Sequence, residues 1–195
     1  MFMPTAAQAA IPQFAGAALQ QTGIEFKVVA TANGYAVYAR PNATPGEGGQ
    51  TLTAQITMRV PHATGDERFE ISNLQTSVDG VFWWQRSRVD APSEDPDGDY
   101  ISFEFDYLLS NLGAMQWVAD QEIELFTFEN SGAAVGNIGL METCSDFMAP
   151  NSTNTNPGNQ IAVRGLDINN AYIGNYGVTV ATTCVTDIFM PLITR

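Results

Sequence analysis

Short runs of alternating hydrophobic and polar residues occupy most of the chain. Residues 24–30, 51–60 and 100–107 show this alternation clearly, and a period of two predicts half-buried β-strands. The same criterion predicts strands at residues 34–40, 69–74, 81–86, 122–128, 137–141 and 176–182. Asn33-Gly34 predicts a hairpin between the first two strands, because both residue types accept a positive φ.

The number and spacing of these strands predict the fold class. About nine short strands with almost no helical periodicity indicate an all-β protein, a two-sheet antiparallel β-sandwich of jelly-roll type. A chain of 195 residues is long enough for one good core. We therefore expect a single domain at residues 22–195, with a long loop rich in Asn, Pro and Gly at residues 146–177.

Residues 1–21 precede the first predicted strand and are rich in apolar and small residues. An A-x-A-like pattern at Ala7 and Ala9 suggests the remnant of a signal peptide, although the basic and apolar regions of a complete one are missing. The alternative is an apolar N-terminal arm that packs on the domain or on a neighbour. No segment reaches the roughly 20 apolar residues of a membrane span.

The amino-acid composition limits the possible binding partners of the chain and its cellular location. The net charge is −13, and Lys27 is the only lysine. Nucleic acids and anionic membranes are excluded as partners, because both require a basic surface. An acidic chain with few lysines and many Asn, Thr and Gly residues indicates a secreted, extracellular location.

Two cysteines, Cys144 and Cys184, are present. In a secreted chain an even number favours one disulfide, here closing a loop of about 40 residues and contributing about 3–4 kcal/mol. The alternative is two unrelated buried thiols. A metal site made from these cysteines is not expected, because no CxxC spacing occurs.

The runs at residues 99–105, 121–129 and 136–140 resemble the second half of cohesin-type modules, and the strand pair at 69–74 and 81–84 is similar to the preceding pair of strands. The resemblance covers roughly residues 24–180. Cohesin-like and carbohydrate-binding-module-like sandwiches recur in large secreted surface proteins of bacteria. The resemblance implies an extracellular, non-catalytic role, while the acidic loop and the Asn-rich loop depart from the cohesin pattern.

Five carboxylates lie within ten residues in what we call the acidic loop, residues 90–99. They belong to Asp90, Glu94, Asp95, Asp97 and Asp99. Clustered hard oxygen ligands in a Pro/Gly-rich loop are typical of Ca²⁺ sites, so one interpretation is a calcium-rigidified loop. The other is a solvated loop whose acids pair with arginines just before it or cap turns.

Adjacent tryptophans Trp83 and Trp84 must point to opposite faces of a regular strand. The outward one could stack on a sugar ring, joined by Trp117, Tyr172 and Tyr176, or it could be covered by a loop or a neighbouring subunit. No catalytic constellation is recognised in the sequence.

The sequence therefore predicts a non-catalytic extracellular module with a structural or adhesive role in a bacterial surface or assembly protein. Other protein subunits, further copies of the chain or a polysaccharide are the expected partners. The alternative function is carbohydrate binding through exposed Trp and Tyr side chains.

Overall fold

The computed structural model describes residues 21–46, 48–107, 113–133 and 138–177. Ten strands lie in these ranges, with one short 3₁₀ turn at Gly65–Glu67. The strands are β1 Ile24–Ala30, β2 Tyr35–Pro41, β3 Thr51–Pro61, β4 Ile71–Thr76, β5 Val81–Asp90, β6 Gly98–Tyr107, β7 Ile123–Asn130, β8 Gly139–Leu140, β9 Gln160–Val163 and β10 Tyr172–Asn175.

The strands form two facing sheets of five strands. The first sheet has the order β10-β1-β2-β7-β4, and the second has the order β5-β6-β3-β8 with β9 also paired to β3. Every pairing is antiparallel except that of β1 with β10, which is parallel. The prediction of an all-β, two-sheet sandwich is confirmed.

The core lies between the two sheets and is built from the apolar positions of the alternating strands. Phe103 of β6 and Phe126 of β7 meet across it with ring centroids 4.9 Å apart. Trp83 of β5 packs on the same Phe126 ring at 5.0 Å. All three side chains are at most 2% exposed, so alternation along the strand places one face in the core and the other towards solvent.

The predicted hairpin joins β1 to β2, but its glycine serves a different purpose. The strands pair up to Ala30 and Tyr35, which leaves a four-residue connection, and neither Asn33 nor Gly34 has a positive φ. A Cβ atom on Gly34 would instead lie 2.2 Å from the carbonyl oxygen of Phe128. Gly34 is therefore needed for the close approach of the turn to β7.

Two segments differ from the prediction. Strand β5 continues to Asp90 and β6 begins at Gly98, so only residues 91–97 of the acidic loop lie outside strands. Segment 146–177 contains β9 and β10, each four residues long and too short to show a period. Their pairing partners in β3 and β1 lie far away in sequence, which local patterns do not report.

Residues 141–159 pack on the outer face of the second sheet. Phe147 lies against Tyr100 with ring centroids 4.5 Å apart, and Met141 completes this small second cluster. Thr57 and Ser102 beneath the loop are also buried. The loop thus covers one part of that face and leaves the rest open.

Some predictions fall outside the described residues. These are the N-terminal segment up to residue 20, most of the predicted strand 176–182, and Cys184. Within the part of the chain that the structure describes, no helix is long and apolar enough to cross a membrane.

Candidate functional site

Strand β5 changes character halfway along its length because of a β-bulge. The pairing with β6 runs from Gln85 opposite Phe103 directly to Ser87 opposite Ser102, so Arg86 has no opposite residue. An extra residue in one strand reverses the alternation of the residues that follow it. Arg88 consequently stands opposite the core residue Ile101 and points inward.

Arg88 connects the end of β5 to its surroundings through charged hydrogen bonds. Its side chain is only 8% exposed. Its Nε donates to Oδ1 of Asp90 at 2.5 Å, and its Nη1 donates to the carbonyl oxygen of Phe69. Arg68 binds the other oxygen of Asp90 at 2.6 Å. Burial alone would raise the pKa of Asp90, but the two guanidinium groups outweigh burial and lower it.

Asp99 lies at the centre of this cluster, and its carboxylate is fully buried. Oδ2 accepts a hydrogen bond from Nη2 of Arg88 at 2.7 Å. Oδ1 lies 2.6 Å from Nδ1 of His62 and accepts a bond from the backbone N–H of Ala91 at 3.1 Å. Because both oxygens are engaged, the buried charge is compensated within the fold.

Asp95 forms a second, separate ion pair. Arg59 of β3 donates to both of its oxygens, at 2.6 and 2.9 Å, and the hydroxyl of Tyr100 donates at 2.8 Å. The hydrogen bonds from Arg59 are the main reason that the pKa of Asp95 lies below its usual range. A Cβ atom on Gly98 would lie 2.5 Å from Oδ2 of Asp95, so the glycine makes room for this pair.

The two remaining acids of the loop are Glu94 and Asp97. Glu94 accepts hydrogen bonds from the backbone N–H and the hydroxyl of Ser152, at 2.5 and 2.7 Å. These bonds lower its pKa and tie the acidic loop to the loop that covers the second sheet. The side chain of Asp97 is exposed.

The predicted calcium ligands therefore do not converge on one point. Their carboxylates are distributed among arginine, serine, tyrosine and histidine partners, an arrangement that does not fit a calcium cage without replacing those contacts. No group of three or more His, Cys, Asp or Glu side chains is positioned to hold a metal ion among the described residues. Both interpretations of the acidic loop stay open to test, and the contacts of its acids favour paired carboxylates over a calcium site.

The structure separates the five predicted ligand-binding aromatic residues. Trp83, Trp117 and Tyr172 are buried, with exposures of 2%, 4% and 6%. Nε1 of Trp117 donates to the hydroxyl of Thr51 at 3.0 Å, and Tyr172 stacks on Phe26 at 5.2 Å. In this arrangement the three rings contribute to the core.

Tyr176 lies on the outer face of the first sheet, where two cationic side chains lie over its aromatic ring. The guanidinium carbon of Arg40 lies 4.2 Å from the ring centroid, and Nζ of Lys27 lies 5.0 Å from it. The same lysine pairs with Glu122 at 2.6 Å. This ring is therefore engaged within the fold and is not joined to the other predicted aromatic residues.

Trp84 is the one predicted ligand-binding aromatic residue that is largely exposed, and its partner is Phe82. The two side chains are 50% and 37% exposed. Their ring centroids lie 6.1 Å apart, and their planes differ by 17°. Phe82 was not predicted, although its position two residues before Trp84 places both on one face of the strand. We call these two residues the aromatic pair.

Charged side chains border the aromatic pair. Glu104 of β6 stands directly opposite Trp84, and Asp106 stands opposite Phe82. Nε of Arg86 donates to Oε2 of Glu104 at 3.1 Å, with both side chains about half exposed. The outer face of β5 and β6 thus combines two nearly parallel aromatic rings with hydrogen-bonding groups beside them.

The cysteine prediction remains open. Cys144 lies in the loop that covers the second sheet, and Cys184 lies outside the described residues. The disulfide between them stays a prediction.

Comparison of the chain with known protein families, with curated proteins and with solved structures found no match. The cohesin-like resemblance therefore stays a prediction.

Proposed function

We propose that this chain is a non-catalytic extracellular adhesion module of a bacterial surface or assembly protein. It contacts its partner through the outer face of the second sheet, at the aromatic pair. Its secreted location is part of the proposal and is supported by the net charge of −13 and the single lysine.

The exposure of the aromatic pair is the observation that carries this proposal. Val81 and Trp83, on the other side of the same strand, supply its contribution to the core and are 2% exposed. Phe82 and Trp84 leave apolar area in water, where burial would contribute about 25 cal/mol per Å². Two such rings side by side on β5, the edge strand of the second sheet among the described residues, support a contact surface there.

The buried charge cluster supports the same role by fixing the strand that carries the rings. Arg88 joins the end of β5 to Asp99 of β6 and to the backbone at Phe69. A surface that is already rigid loses less conformational entropy when a partner binds. In our proposal, the hydrogen bonds of Arg88 make strand β5 rigid before a partner binds.

The test is adsorption of the purified chain to two kinds of surface. One is a set of insoluble polysaccharide particles (cellulose, chitin and β-1,3-glucan), and the other carries immobilised copies of this chain. We expect adsorption to at least one surface, and we expect the double variant Phe82→Ala/Trp84→Ala to lose it. Ile168→Ala is the matched control, because Ile168 is an exposed apolar residue elsewhere (64%).

Adsorption that survives in the double variant would contradict the contact surface. Absence of adsorption to both surfaces would contradict the adhesive function itself.

Carbohydrate binding is a second candidate function, favoured by the 17° angle between the ring planes and by the charged rim. Pyranose rings present apolar C–H faces that stack on aromatic rings, while their hydroxyl groups bind polar side chains. Adsorption to polysaccharide but not to immobilised copies of the chain would select this candidate.

A further inference from the structure

Four outward-facing side chains form a continuous row across the second sheet. Trp84 pairs with Glu104, Glu104 with Gln55, and Gln55 with Gln160, on strands β5, β6, β3 and β9. Directly opposite residues share a face of the sheet, so the row extends from the aromatic pair to the far side of β3. With neighbouring strands about 4.8 Å apart, it spans about 14 Å. We call it the cross-strand row.

The loop at residues 141–159 borders the part of this row formed by Gln55 and Gln160. Nε2 of Gln55 donates to the carbonyl oxygens of Asn156 and Gly158 at 3.0 and 3.1 Å, which holds the amide in place. Beside Gln55 lies a cavity of about 210 Å³, whose lining includes Gln160, Glu142 and Met148. Aromatic rings thus lie at one end of the row and an amide-lined cavity at the other.

The chemistry of this surface favours one class of occupant. A strongly negative chain with Glu104 in the row would repel an anionic polymer. A stable protein interface buries about 800 Å² on each partner, and two partly exposed aromatic rings supply only a small part of that area. A neutral polysaccharide requires only stacking surface and side chains that bind hydroxyl groups.

We propose that the cross-strand row binds an extended neutral polysaccharide lying across the strands. One sugar stacks on the aromatic pair, and following sugars contact Glu104, Gln55 and Gln160. The inter-strand spacing of about 4.8 Å is close to the length of one sugar ring in an extended β-1,4-linked chain. This inference rests on the carbohydrate-binding candidate and adds to it the direction and length of the site.

The experiment is a calorimetric titration with β-1,4-linked glucose oligomers, from the dimer to the hexamer. We expect affinity to rise with length up to about four rings, one for each position of the row, and then to level off. Trp84→Ala should weaken binding of every length by about tenfold or more. Gln160→Ala should leave dimer binding unchanged and weaken only the longer oligomers, and Ile168→Ala should change neither.

The outcomes separate the two levels of the proposal. Equal affinity for the dimer and the hexamer, with no effect of Gln160→Ala, would overturn the row and leave the aromatic pair as a sugar-stacking site. If the hexamer does not bind while the chain still adsorbs to immobilised copies of itself, both carbohydrate inferences fail and the adhesive function stands. Binding that is unaffected by Trp84→Ala would overturn the row as well.

Discussion

The two halves of strand β5 differ in chemistry and in what each contacts. The half after the bulge carries Arg88 and Asp90, whose charges are bound by partners within the same fold. The half before it carries Phe82 and Trp84, whose rings extend into solvent. The partner of a side chain, rather than its type, therefore distinguishes a structural group from a binding group.

The bulge at Arg86 is the physical origin of this difference. It reverses the alternation, so an arginine turns inward where a regular strand would have turned it outward. Buried charge is tolerated at that end because Asp99 and the carbonyl of Phe69 receive the guanidinium.

Arg88→Ala should have the largest effect on stability. It leaves the buried carboxylate of Asp99 without its main cationic partner, and breaking a buried pair in this way costs about 3–5 kcal/mol. Urea unfolding measures the loss. Arg86→Ala is the control, because its ion pair with Glu104 is half exposed and is expected to contribute at most about 1 kcal/mol. Equal effects of the two variants would contradict the contrast between the halves.

Asp95 should make stability depend on pH in the acid range. Its pKa is lowered in the folded state, chiefly by the hydrogen bonds from Arg59, so its contribution is complete above the unfolded pKa of about 3.9. That contribution is lost as the pH falls through the lower folded pKa. We therefore expect the free energy of unfolding to decrease below about pH 4, and Asp95→Asn to make the decrease shallower.

Asp97→Asn is the matched control for this pH dependence, since it removes an exposed carboxylate from the same loop. An Asp95→Asn variant with the wild-type dependence, measured by urea unfolding at several pH values, would show that the Arg59 pair is not the acid-sensitive contact.

Calcium should have the smallest effect. The carboxylates of Asp90, Asp95 and Asp99 already accept hydrogen bonds from arginines, so we expect the same Tm in excess Ca²⁺ and in chelator. A specific site at a calcium concentration about 100 times its Kd would add about 2.7 kcal/mol. A clear rise in Tm that Asp95→Asn removes would restore the calcium interpretation.

Much of the fold could be predicted because its strands alternate. The runs that became β1, β3 and β6 show the pattern directly, and the adjacent pair Trp83-Trp84 required one ring to face outward. The alternation of polar and apolar residues therefore predicted both the two-sheet sandwich and one outward-facing tryptophan.

The remaining features depend on contacts between residues far apart in sequence. Arg59 reaches Asp95 across 36 positions, and Glu94 reaches Ser152 across 58. No local pattern reports such partners, and for the same reason the sequence left both interpretations of the acidic loop open. The burial of Tyr172 depends on the parallel pairing of β10 with β1, which is equally remote.

The most direct test of the account follows the three tryptophan indole N–H signals by NMR during titration with a β-1,4-linked glucose hexamer. Trp84→Phe identifies the signal of Trp84, and the chain has only two others, from Trp83 and Trp117. We predict that the Trp84 signal shifts while the two buried indoles keep their positions. An unchanged Trp84 signal, or a shift confined to the buried indoles, would contradict the assignment of the aromatic pair as the carbohydrate-binding surface.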